Sequence, residues 1–292
     1  MDDQHGRTPG DAPRVFAGLP LDRPRIMGIV NVTPDSFSDG GRLTSTDAAR
    51  DHALRLEDEG ADILDIGGES TRPGAEPVSV DEELSRVIPV IEALAEKTTA
   101  RLSIDTRNAR VMGEAVAAGA HIVNDVSALT HDPLGLAMAA EMGVPVFLMH
   151  AQGDPQTMQE NPRYDDVVTE VRDWLSGRIA ACVEAGIARE QIAIDPGIGF
   201  GKTIEHNLVL LKHVDAFTRL GAPILVGASR KGFIGRLSGV DTAADRISGS
   251  LAAALAAVAG GADFIRVHDV EETRQALSVW TAIDTIDLWR DA

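Results

Sequence analysis

One phrase recurs along this chain and limits what it can become: a glycine, then alanine or valine, then a short apolar run. It reads Gly60-Ala-Asp-Ile-Leu-Asp-Ile, Gly119-Ala-His-Ile-Val-Asn-Asp and Gly143-Val-Pro-Val-Phe-Leu-Met, and returns as Gly221-Ala-Pro-Ile-Leu-Val-Gly and Gly261-Ala-Asp-Phe-Ile-Arg-Val. Glycine is favoured just past a helix end because it accepts the left-handed conformation there. The runs that follow are short and apolar on both faces, as strands of a parallel sheet buried on both sides must be. Each phrase therefore marks a passage from helix to buried strand.

Eight strands are expected, near residues 26–31, 62–66, 102–104, 122–124, 146–149, 192–194, 224–227 and 264–267. Amphipathic helices fill the gaps. Ser79-Val-Asp-Glu82 has the spacing of a capping box, with Leu84, Val87, Ile88 and Ile91 following at helical intervals. Val167, Val171, Leu175, Ile179 and Cys182 mark a longer helix. Asp269-Val-Glu-Glu272 opens the last one, whose expected inner face is Ala276, Val279 and Ile283. Eight βα units closing on themselves predict a single-domain α/β fold, a TIM (β/α)8 barrel; an open doubly wound sheet is the runner-up. The barrel is expected over residues 21–292, behind a loosely ordered extension over residues 1–20. No second domain or low-complexity linker is apparent.

The formal charge of −18 argues against nucleic acid or an anionic membrane surface as a partner. No apolar run approaches the roughly 20 residues that span a bilayer, and Met1 to Pro13 lacks the apolar core of an export signal, so a cytoplasmic protein is expected. Cys182, the sole cysteine, cannot form an internal disulfide and reads as a buried core thiol.

Catalytic groups of such barrels sit at the C-terminal ends of the strands. Here all eight apolar runs end in polar groups: Asn31, Asp65, Asp105, Asn124-Asp125, His150, Asp195, Ser229-Arg230-Lys231, and Arg266 with His268. A single Asp or Asn is more often a cap or turn former, but eight convergent polar ends point to a site at this rim. Asp105, Asn124 and Asp195 suit a flat heterocycle with an amino-amide edge, such as a pterin or guanine. Arg72, Lys231, Arg266 and His268 are donors able to hold a phosphate or diphosphate. Two polar loops, 32–41 and 67–77, exceed the 2–6 residues usual for βα connections and read as lids.

Gly197-Ile-Gly-Phe-Gly201-Lys202-Thr203 imitates a phosphate-binding loop, but the spacing before Gly-Lys-Thr is one residue short and Asp195-Pro196 puts a carboxylate where such a loop keeps bare backbone. His150, His206, His213 and His268 have no zinc-ligand spacing.

Met27-Gly-Ile-Val-Asn-Val-Thr-Pro-Asp-Ser-Phe-Ser-Asp-Gly-Gly41 and Asp65-Ile-Gly-Gly-Glu-Ser-Thr-Arg-Pro-Gly74 resemble the two signature segments of bacterial dihydropteroate synthases. Ser103-Ile-Asp-Thr106, Asn124-Asp125, Asp195 to Lys202, Ser229-Arg-Lys231 and Arg266-Val-His-Asp269 follow in that family's order. The resemblance spans roughly residues 24 to 290. It implies a TIM barrel, usually a homodimer, that joins a pterin diphosphate to 4-aminobenzoate in folate synthesis and is a sulfonamide target. It further implies that Asp105, Asn124, Asp195 and Lys231 hold the pterin ring, with Gly227 in the same substrate set. Asn31, Arg266 and His268 would hold the diphosphate, with Mg2+ at Asn31. Thr71, Arg72 and Pro73 would form the 4-aminobenzoate pocket with Phe200 close by. Met149 would pack on the pterin, or else be plain core. Asp105, Lys231, Arg266 and His268 would be the catalytic set, acting by positioning and electrostatics more than by proton transfer. A methyltransferase domain with the same pterin contacts, or a non-catalytic pterin-binding paralogue, are the competing expectations.

Overall fold

The computed structural model describes residues 14–32, 45–70, 78–153 and 157–286. All five glycines of the recurring phrase have positive φ, from +63° at Gly143 to +120° at Gly119, so each ends its helix in the conformation only glycine adopts without strain.

A short antiparallel hairpin, β1 (Val15–Phe16) and β2 (Leu19–Pro20), precedes the barrel. The barrel strands are β3 (Arg25–Asn31), β4 (Ile63–Gly67), β5 (Arg101–Asp105), β6 (Ile122–Asp125), β7 (Val146–Met149), β8 (Ile192–Asp195), β9 (Leu225–Val226) and β10 (Phe264–Val267). They are parallel, in the order β8-β7-β6-β5-β4-β3-β10-β9, and a single parallel bridge between Ile194 and Ile224 joins the two ends. The expected eight-stranded barrel is what forms. Around it run α1 (Ser45–Glu59), α2 (Val80–Ala95), α3 (Ala109–Ala117), α4 (Gly135–Met142), α5 (Val167–Glu184), α6 (Ile204–Lys212), α7 (Asp215–Thr218), α8 (Gly232–Ser238), α9 (Ile247–Ala259) and α10 (Val270–Asp284). Among the described residues no helix is long and apolar enough to cross a membrane.

Side chains two apart on a strand face the same way, and the pairing register turns this into layers inside the barrel. Met27, Ile63, Ile122, Phe147, Ala193, Leu225 and Phe264 form an apolar lower layer. One step up on the same strands lie Ile29, Asp65, Asn124, Met149, Asp195, Gly227 and Arg266. The change from apolar to polar within two residues fixes where a ligand can sit.

The lower layer corrects one expectation. Residues from Val15 are not a loose lead-in: the hairpin inserts Phe16, 1% exposed, against Phe147 and Phe264, with ring centroids 4.9 and 5.5 Å away. Burying such a ring is worth about 1.5–3 kcal/mol, enough to hold a hairpin too short to show a strand pattern. Residues 1–13 lie outside the described part.

Helix faces follow the pattern with two differences. Val167, Val171, Leu175, Ile179 and Cys182 are all buried along α5. Ser79 caps α2 by accepting from the Glu82 amide, but the Glu82 carboxylate binds Arg86 instead of closing the box. On α10 the inner face is Val270, Thr273 and Leu277, while Val279 and Ile283 are 62% and 68% exposed. Thr273 takes a core position because its hydroxyl donates to the Asp269 carbonyl at 2.6 Å, so nothing polar is left unsatisfied.

Candidate active site at the C-terminal rim

A cavity opens at the C-terminal end of the barrel, enclosing with its open mouth about 470 Å3. Asn124, Met149, Asp195, Phe200, Gly227, Lys231, Arg266 and His268 all line it, together with Ile29, Val126 and Ser229. Met149, left open between pterin contact and core, is buried at 4% exposed and lines the cavity.

Asp195 ends β8, where Pro196 steers it out of helical geometry, and its Oδ1 accepts from the Gly197 amide at 2.7 Å. Burial pushes its carboxyl above the ordinary range, with the Lys231 charge opposing. Lys231 reaches across the rim to donate to the Ile198 carbonyl, and its ammonium sits 4.5 Å from the Phe200 ring centroid, a cation–π distance. Burial lowers it to about 8, against the support of Asp195. The lysine is carried on Arg230, a non-glycine residue at φ +57°, which a two-bond pair with Asp269 and a bond from its amide to Ser250 hold in place.

Arg266 is more deeply engaged than a phosphate-binding arginine need be. Its Nε donates to Asp65 at 2.6 Å and its Nη2 to Asp105 at 2.7 Å. Asp105 is pushed up to about 7 by burial, with Arg266 opposing the rise. Asn124 donates its Nδ2 to the same Asp65 oxygen at 2.9 Å, so its own oxygen is directed elsewhere. Asp65 is thus the hub that orients two cavity-lining side chains. The sequence placed it at a strand end, whereas β4 runs on to Gly67 and Asp65 is its middle residue; its partners 59 and 201 residues away were not visible there. Asp65 Oδ1 and the Ser103 hydroxyl, side by side in the β4–β5 register, are buried with no hydrogen-bond partner. His268 pairs its Nδ1 with the Ser229 hydroxyl at 3.0 Å.

Asn31 ends β3 beside Gly67, half-buried and outside the cavity lining. Among the described residues no cluster of three or more His, Cys, Asp or Glu side chains is arranged to hold a metal. The Asn31 amide oxygen is a hard oxygen donor of the kind Mg2+ takes, and a substrate diphosphate and water would have to supply the other ligands. Thr71, Arg72 and Pro73, and loop residues 33–41, lie outside the described residues. The false phosphate loop is resolved by Lys202, which is 2% exposed and points inward to His150.

A pterin binding enzyme family model matches residues 27–268. The dihydropteroate synthase of Escherichia coli strain K12 is 52% identical over 261 residues, covering 89% of this chain and 92% of that protein. The structure of Xanthomonas albilineans dihydropteroate synthase with 4-aminobenzoic acid superposes with a TM-score of 0.88 at 54% identity, over 92% of this chain and 97% of the other. The same organism's enzyme in complex with 7,8-dihydropteroate gives a TM-score of 0.85 at 51% identity, over 92% and 96%. Family match, identity over nearly the whole length and the layered rim agree, and the chain belongs to the pterin-binding dihydropteroate synthases.

Proposed function

We propose that the rim cavity joins a 7,8-dihydropterin-6-ylmethyl diphosphate to 4-aminobenzoate, giving 7,8-dihydropteroate and diphosphate. The observation that carries this is the pairing of acceptors and cations in one cavity. Asn124 and Asp195 offer oxygens to a flat amino-amide edge, with Asp105 behind them, while Lys231, Arg266 and His268 bring positive charge or N–H donors. Gly227 leaves room for the ring and Met149 packs against it.

The chemistry needs little proton transfer. The methylene C–O bond breaks with its electron pair going to the diphosphate, and the electron-rich ring spreads the positive charge left behind. The arylamine nitrogen then bonds to that carbon and loses one proton. Arg266 has Nη1 for a phosphate oxygen without giving up either carboxylate, and His268 stands beside it. The Asp105 carboxylate favours the cationic ring. Groups already aimed at developing charge lower the barrier without reorganising. Mg2+, brought by the diphosphate and held by Asn31, would neutralise charge on the leaving group. Thr71, Arg72, Pro73 and Phe200 are assigned to the 4-aminobenzoate side.

The deciding assay is diphosphate release from the pterin diphosphate with and without 4-aminobenzoate. Release is expected only with the arylamine, and chelation by EDTA should lower it at least tenfold, with recovery on adding Mg2+. No release above background would overturn the reading; release untouched by EDTA would remove Mg2+ from it.

This reading makes the molecule a homodimer. Support comes from three adjoining helices. α9 carries no charged residue over its thirteen positions, and its neighbours expose Leu208 and Val209 on α6 and Val279 and Ile283 on α10. An apolar stripe of this kind is uncommon on a monomer, and a second copy is its economical cover. Light scattering should give twice the 30.9 kDa chain mass at micromolar concentration; the single-chain mass would contradict it. A cytoplasmic setting belongs to the same reading. It fits the sole cysteine, a buried thiol raised to about 11 by burial, and cell fractionation tests it.

A further inference from the structure

The glycine-rich turn after β8 is held in an unusual way. Four successive carbonyls each receive a different side-chain donor: Ile198 from Lys231, Gly199 from Gln159, Phe200 from Lys202 and Gly201 from Tyr164. The amides are claimed as well, Gly197 by Asp195, Gly199 by Asn207 at 2.6 Å, and Phe200 by the Gly197 carbonyl. Gly197, Gly199 and Gly201 all have positive φ, between +62° and +87°. A Cβ on Gly197 would collide with the His150 carbonyl, and one on Gly201 with the Gln152 carbonyl. The turn therefore lies backbone against backbone on the segment leaving β7.

Lys202 closes this contact from within. Its ammonium, 2% exposed, donates to the Phe200 carbonyl at 3.0 Å and the His150 carbonyl at 3.3 Å, and lies 3.0 Å from His150 Nδ1. The Trp174 ring stands edge-on to His150 at 4.9 Å. Burial lowers Lys202 to about 7, with Asp195 opposing. An ammonium that costs this much to bury has every donor aimed at the two segments that meet here.

We propose that Lys202 is a positioning residue: its ammonium clamps the Gly197–Gly201 turn onto the β7 end, fixing Phe200 and, through the Ile198 carbonyl, Lys231 in the cavity. The turn is thereby a preformed wall on which one cavity face depends. The catalytic part of the inference rests on the proposed reaction; the structural part does not.

The test uses the full chain and its Lys202→Met variant, which keeps the side-chain volume and removes the donors. Hydrogen–deuterium exchange should show peptides covering residues 196–203 protected in the parent and at least tenfold faster in the variant, with barrel-strand peptides unchanged. The variant should stay folded with a lowered melting temperature, because the Phe200 and His150 carbonyls lose a buried donor, while kcat/KM should fall at least tenfold. Should Lys202→Met not fold, Tyr164→Phe, which removes only the Gly201 donor, should give the same directions with about a threefold fall. A parent turn that exchanges like an exposed loop, or a folded variant with parental kcat/KM, overturns the proposal. A parent without diphosphate release would sink the reaction instead, leaving the exchange result to decide on the clamp.

Discussion

Asp195→Asn is expected to weaken pterin binding by about 60- to 20,000-fold while leaving the fold intact. The Oδ1 atom of Asp195 is committed to the Gly197 amide at 2.7 Å. An asparagine keeps that bond by placing its oxygen there, so its NH2 must occupy the place of Oδ2. A donor then faces the ring's donors and the Lys231 ammonium. The loss combines a charged hydrogen bond, about 1.5–3 kcal/mol, with a group left unpaired, about 1–3 kcal/mol. At 1.4 kcal/mol per factor of ten that total is the range given. Lys231 also loses the carboxylate that opposes its downward shift from burial, so it gives up charge at a lower pH. Calorimetric titration of a pterin into both proteins is the measurement, and affinities within about threefold would remove Asp195 from the ring site.

What was readable in the sequence follows from period. Strand positions and the polar rim were legible because alternation by two and a glycine past each helix are local signals, and Asp105 and Asp195 end their strands where expected, with Asn124 one residue before the end of β6. Partners across the barrel were not legible. Asp65 reads as one more strand-end carboxylate, and only closure brings Arg266 to it from 201 residues away. Lys202 showed in the sequence only as part of an imitation phosphate loop, because the second backbone segment that closes over it comes from 52 residues away. The α10 face was misassigned because Thr273 hides as a polar residue while satisfying its hydroxyl internally. Residues 15–20 form strands of two residues, too short for any period, and aromatic contacts with Phe147 and Phe264 hold them.

Arg266→Ala is expected to destabilise the fold by about 3–5 kcal/mol, the range for removing one partner of a buried ion pair. The reason is the company this arginine keeps. Asp65 is fully buried and Asp105 is 8% exposed, and the guanidinium is the cation bonded to both. At roughly 2 °C per kcal/mol for a chain of this size the melting temperature should fall by roughly 6–10 °C. The loss should also depend on pH, and its sign follows from Asp105. In the folded parent this carboxyl lies near 7, above its ordinary 3.8. The folded state thus keeps a proton that the unfolded chain has released, and Asp105 makes stability fall as pH rises between those values. Arg266 opposes the upward shift, so its removal raises Asp105 further and extends the falling window above pH 7. The deficit of Arg266→Ala should therefore be larger at pH 8 than at pH 6, and adding Asp105→Asn should recover part of it at pH 8. Thermal melts of parent, single and double variants at both pH values provide the measurement. Equal deficits at the two pH values, with no recovery in the double variant, would mean that the guanidinium is not there to offset buried carboxylates. Its place in the barrel would then have to be explained by the diphosphate alone.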